Sequence, residues 1–229
     1  ADTTAENMML DLRKQGKKFP VTALKRIGIS LLHLHEHGIV HGDFGIHNIG
    51  KFGDGWKLLG IGGAIKIGSR TDPARGFYHP PESINVSRQS PQNKSDTIAS
   101  VISIDAQATY DIWAFGVAVY EAVVGQPLLP YACRGNREMN EAEIGKIGRW
   151  DDHYLKKALK QLDGKEKKLA HDVIKKLLHH DPKQRIKTMR EVLNYAFFVE
   201  KADMKKEGRK KQSTKSYLSK IRNRPQLVK

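Results

Sequence analysis

The chain has 229 residues, room for one good core or two small ones, with 39% hydrophobic residues and a net charge of +15. No apolar run is long enough to cross a bilayer, Ala1-Asp2-Thr3-Thr4 shows no basic and apolar signal pattern, and a single cysteine, Cys133, excludes an internal disulfide. We therefore expect a cytosolic or nuclear protein.

Glu6 to Gln15 reads as a short helix, broken by Gly16-Lys17-Lys18. A second helix starts near Pro20, a residue favoured in a first helical turn. Leu24, Ile27, Leu31 and Leu34 then recur at helical spacing and predict one buried stripe, with Gly38 as the C-terminal cap. His41-Gly42-Asp43-Phe44-Gly45-Ile46-His47-Asn48 follows, and after it a hairpin with strands at 49–51 and 56–59 around Gly53-Asp54-Gly55. Gly60 to Glu82 reads as a loop. Beyond it, a Ser/Gln/Asn-rich stretch predicts a polar surface insertion over about 83–109. Tyr110 to Val124 is apolar nearly all round and predicts a buried helix, stopped by Gly125 and Pro127. Three more helices are expected, at about Asp151–Leu162, Lys165–His180 and Thr188–Val199.

Strand content looks minimal, so the expected fold is a mainly α domain over residues 1–199. Residues 200–229 form a basic tail expected to be disordered. From Lys201 on, eleven Lys and Arg stand against Asp203 and Glu207, which puts +9 of the +15 in the tail and leaves +6 for the rest. Such a tail attracts acidic partners or nucleic acid weakly, or serves nuclear import. No zinc-ligand spacing or aromatic-studded basic strand accompanies it. The histidines at 33, 35, 37, 41 and 47 lack the Cys or carboxylate set of a four-ligand metal site. His179-His180 fits favourable charge placement near a helix end.

Several of these segments resemble, in the same order, the C-terminal lobe of eukaryotic protein kinases. Leu34 to Asp43 with Asn48 is similar to the catalytic loop (41–48), and Lys57 to Ala64 takes the place of the metal-binding Asp-Phe-Gly motif. Phe77-Tyr78-His79-Pro80-Pro81-Glu82 looks like the Ala-Pro-Glu end of the activation segment (60–82). Tyr110 to Gly116 resembles the buried helix beneath the loop, and Leu177 to Arg185 the segment whose arginine pairs with that glutamate. The resemblance covers about residues 6–199. It implies Asp43 as proton acceptor, Asn48 as metal ligand, and structural roles for His41, Glu82, Asp111 and Arg185. It also implies ATP and Mg2+ as cofactors and a protein as substrate or partner.

The chain departs from that pattern. The family's N-terminal lobe, with its glycine-rich loop and strand lysine, is absent from the 42 residues before Asp43. Gly60 replaces the metal-binding aspartate, Gly45 a phosphate-contacting lysine, Gly42 the arginine that clamps a phosphorylated activation loop, and Gly50 an apolar residue under the adenine. Ile61 stands where phenylalanine would pack and suits a retained fold. Three readings follow: a fragment of a longer Ser/Thr-type kinase or a pseudokinase, a non-catalytic binding module acting through this lobe and its tail, or a small-molecule phosphotransferase sharing the His-Gly-Asp loop. The chain as given is expected to be inactive.

Overall fold

The computed structural model describes residues 1–71, 78–88, 97–129, 140–162 and 168–199. Phe77, Cys133 and the basic tail lie outside the described residues, so the expectations placed on them are not addressed by the fold. The chain opens on β1 (Thr3–Thr4) and α1 (Ala5–Lys14), and the Thr4 hydroxyl accepts the Asn7 N–H at 3.3 Å to cap that helix. α2 (Val21–Glu36) starts directly behind Pro20, and Gly38 follows its last turn in a left-handed conformation. Leu24, Ile27 and Leu31 are fully buried, whereas Leu34 is only half-buried, so the predicted stripe loses its last member.

β2 (Ile39–Val40) leads into the 41–48 loop, which ends in a 3-10 turn (Ile46–Asn48). β3 (Ile49–Phe52) and β4 (Gly55–Leu58) form the expected hairpin, with Ile49 opposite Leu58 and Phe52 opposite Gly55. β1 adds a third antiparallel strand, pairing Thr4 with Gly50. After a 3-10 turn at Ile61–Gly63, β5 (Ile65–Lys66) returns to pair with β2. β6 (Arg70–Thr71) and a 3-10 turn at Pro81–Ser83 follow, then β7 (Ile84–Arg88), β8 (Thr97–Val101) and β9 (Ile104–Asp105). β6 pairs with β9 and β7 with β8.

The helical part is α3 (Ala108–Val124), α4 (Glu141–Gly148), α5 (Asp152–Leu159) with a 3-10 extension (Lys160–Leu162), α6 (Lys168–Leu177) and α7 (Met189–Leu193). α3 is buried from Thr109 to Ala122 and forms the centre of the core, packed against both α2 and α6. Each of its large side chains, among them Ile112, Trp113 and Phe115, contributes about 1.5–3 kcal/mol by leaving water.

Three expectations are corrected. Strand content is not minimal: nine short strands lie among the described residues. The segment at 83–109 is not a plain surface insertion. Its two ends form the β7–β8 hairpin, Ile84 and Ala99 join the core, and Ala108 and Thr109 already belong to α3. The reason is a period-two alternation, Ile84-Asn85-Val86 and Ala99-Ser100-Val101, that the polar composition conceals. The helix expected over Thr188–Val199 stops at Leu193 and gives way to turns, with the Phe198 N–H donating to the Tyr195 carbonyl at 2.8 Å.

α4 is absent from the sequence reading. Its signal is a capping box: Asn140 accepts from the Glu143 N–H at 3.0 Å, and Glu143 accepts from the Asn140 N–H at 2.9 Å. Among the described residues no helix is long and apolar enough to cross a membrane.

Candidate active site

The 41–48 loop hangs from one carboxylate. Asp111, fully buried on the first turn of α3, accepts the His41 N–H at 2.7 Å, the Gly42 N–H at 3.1 Å and the His35 ring at 2.9 Å. Three donors keep this buried charge satisfied, and they fix the loop backbone to α2 and α3 together. His41, also fully buried, donates from Nε2 to the Leu59 carbonyl at 2.7 Å and accepts the Asp43 N–H on Nδ1 at 3.3 Å. The imidazole thus ties the loop to the residue just before Gly60.

Asp43 and Asn48 come together as expected, but they face each other. The Asn48 amide donates to the Asp43 backbone carbonyl at 2.8 Å and to its Oδ2 at 3.3 Å. Asn48 also occupies the space beside Gly60. A Cβ built on Gly60 would stand 2.6 Å from Asn48 Cγ and Oδ1, and Gly60 has φ +73°, a left-handed conformation that side chains disfavour. Magnesium requires near-octahedral oxygen coordination. Asn48, its amide donated to Asp43, has only Oδ1 to offer, and Gly60 supplies no side-chain oxygen, so these residues do not fit the metal. At Gly50 a Cβ would meet Leu59, Phe52 and Ala1 at 2.8–3.1 Å, so those side chains already occupy the place of the missing one.

His47 is a site residue that the sequence reading treats only as one of a histidine group. Its ring covers Gly45, where a Cβ would lie 2.5 Å from His47 Cε1, and its Nε2 stands 4.0 Å from Asp43 Oδ1. That is an ion-pair separation rather than a hydrogen bond. The imidazole holds the Asp43 carboxyl below its usual range; partial burial opposes it, and the Asn48 amide adds to it. The signal was available in the spacing: His47 is four residues after Asp43 and two after a glycine.

Behind the loop, Arg185 and Glu82 form a bidentate pair at 2.7 and 2.8 Å. The Arg185 side chain is fully buried, and it also donates to the carbonyls of Thr109, His179 and His180. Its guanidinium lies 5.0 Å from the Trp113 ring. Tyr78 donates to Glu121 at 2.6 Å, and Glu121 also accepts the Leu128 N–H at 3.2 Å. Complete burial raises the Glu121 pKa to about 7, with the Tyr78 and Leu128 bonds acting against it. An acid inside an otherwise apolar helix was the sequence clue to this second buried carboxylate.

Ile61 corrects one expectation: it is 62% exposed and packs against nothing comparable to a core. Among the described residues the grouped histidines gather no third ligand; the His33 and His37 rings are tilted at 50° with centroids 4.3 Å apart, and His37 Nδ1 bonds the His33 carbonyl.

Comparison with known proteins supports one grouping. No curated protein matches the sequence. Among solved structures the fold is similar to a crystal structure of the Rad53 kinase domain and SCD2 in complex with AMPPNP. The TM-score is 0.53 at 19% identity, covering 87% of this chain and 66% of that one, just under two thirds. A family model described as protein kinase domain matches residues 11–198, most of the described fold, and the chain therefore belongs to the protein kinase domain family.

Proposed function

We propose that this chain is the C-terminal lobe of a Ser/Thr-type protein kinase fold, comprising residues 1–199, that does not transfer phosphate as it stands. The observation that carries this reading is the Gly60–Asn48 contact. The position expected to supply a metal-binding carboxylate has no side chain, and Asn48 lies in the space where a Cβ on Gly60 would stand. Asp43 keeps the place of a proton acceptor for a substrate hydroxyl, half-buried and depressed in pKa. Acceptance of a proton is a minor part of phosphoryl transfer; most of the rate comes from neutralising charge on the transferred group. In the family, ATP with Mg2+ supplies the phosphoryl group and that neutralisation, and Gly60 leaves the metal without a side-chain ligand here.

A protein-binding role fits what remains: the loop, the Pro80-Pro81-Glu82 turn and their supports are all kept. The test is direct. Purified chain with labelled ATP, Mg2+ and a generic Ser/Thr peptide should give no transfer above the Asp43→Asn variant, and Gly60→Asp alone should not restore it. Asp43-dependent transfer by the unmodified chain would overturn the proposal. Intact mass from the native source separates the two forms of this reading: about 25.8 kDa for a lone lobe, or a larger mass for a piece of a longer kinase.

A further inference from the structure

α5 and α6 pack together, and each contributes a row of side chains at a spacing of four residues to one groove. Asp152, Lys156 and Lys160 form one row; His171, Lys175 and His179 continue the other past the end of α6. Residues four apart lie on one helical face, one turn or about 6 Å apart. Between the rows lies a groove of about 750 Å³ floored by the buried Leu155 and Leu159.

The rows hold one acid, Asp152, with Oδ1 3.3 Å from His180 Nδ1, against three lysines, Lys156, Lys160 and Lys175. Lys156, Lys160 and Lys175 are exposed and form no ion pair among the described residues. His171 Nδ1 lies 3.4 Å from Asp172, outside the groove lining. His179 accepts the Asp181 N–H on Nδ1 at 3.2 Å, which puts the proton of its neutral ring on Nε2. That ring therefore offers a donor to an anion rather than a lone pair to a metal, although Asp152, His179 and His180 approach one another within 4.8 Å.

We infer that this groove docks an extended acidic segment of a partner protein. The match is geometric as well as electrostatic. An extended chain repeats its side chains every second residue, about 6.6 Å, close to the one-turn step of each row. Consecutive acids therefore alternate between the two rows. The groove, about 12 Å along α5 from residue 152 to 160, holds roughly four such residues. The floor is aliphatic and the described lining has no Tyr, Trp or Phe, the large rings that carry successive stacked bases, which favours peptide over single-stranded nucleic acid.

The probe is fluorescein-labelled hexaglutamate, titrated by anisotropy against the full chain in low salt. Lys156→Glu with Lys175→Glu should weaken binding at least 10-fold. Lys157→Glu with Lys176→Glu, an equal charge change on the same two helices but away from the groove, should weaken it less than 2-fold. NMR shifts at His171 and His179 in the unmodified chain should track saturation, which keeps the test independent of any variant's folding. Equal losses in both pairs, no binding, or absent histidine shifts would overturn the docking site. Tighter binding of hexauridylate with the same Lys156 and Lys175 dependence would overturn the peptide assignment.

Discussion

Two buried ionisable residues have opposite consequences. Glu121 is held protonated more tightly in the folded protein than in the unfolded chain, because its pKa rises to about 7. Its contribution to stability is therefore complete below the ordinary carboxylate range and is lost as pH climbs from about 4.5 through 7. The swing is on the order of 3 kcal/mol. Glu121→Gln keeps a partner for both Tyr78 and Leu128, so its melting temperature should fall less than the wild type's between pH 5 and 8. Parallel profiles for the two proteins would mean that Glu121 is ionised throughout. Arg185 is the other case. Arg185→Ala leaves the Glu82 carboxylate and three carbonyls without their donor and should cost about 3–5 kcal/mol in a denaturant melt. Glu82→Gln, whose side chain is 24% exposed, should cost less. A cost below 1 kcal/mol for Arg185→Ala would show that water replaces the pair.

Elements here were legible where one periodicity dominated. α2 and α3 announce themselves by apolar spacing, and the β3–β4 hairpin by its Asp-Gly turn. The β7–β8 hairpin did not, because its alternation is only three residues deep on each strand and is embedded in Ser, Gln and Asn. Motifs in the 41–48 loop and in α3 singled out Asp43, Asn48 and Asp111, but not that the Asn48 amide would donate to Asp43 beside Gly60. That outcome depends on space, which a linear motif does not encode. The hairpin is nonetheless tightly seated. A Cβ on Gly148, in α4, would fall 2.4 Å from Val86 and 2.7 Å from Ile84. Gly148→Ala should therefore destabilise the protein by about 1–3 kcal/mol through overpacking, despite alanine's better helix propensity. A neutral or stabilising result in a thermal melt would show that β7 can move away from α4.

At the scale of the whole molecule, the retained core and the altered loop separate folding from chemistry. α3 supplies both the centre of the core and the carboxylate under the loop, so the loop geometry persists as long as the core does. The chain studied alone exposes Ile61 beside that loop. It should bind a hydrophobic dye or self-associate, and Ile61→Ser should reduce the dye signal. A monodisperse chain without dye binding would count against this.

The Arg185 contacts also carry a consequence for the order of assembly. Its bonds to Glu82 span 103 residues, and its bond to Thr109 spans 76. Contacts so distant in sequence close only after most of the chain has collapsed. A side chain that meets its partners last stabilises the native state without helping the chain across its folding barrier. Loss of Arg185 should therefore appear almost wholly as faster unfolding, with the refolding rate nearly unchanged. The tie works as a latch on the finished fold, setting how long it stays shut rather than how quickly it forms.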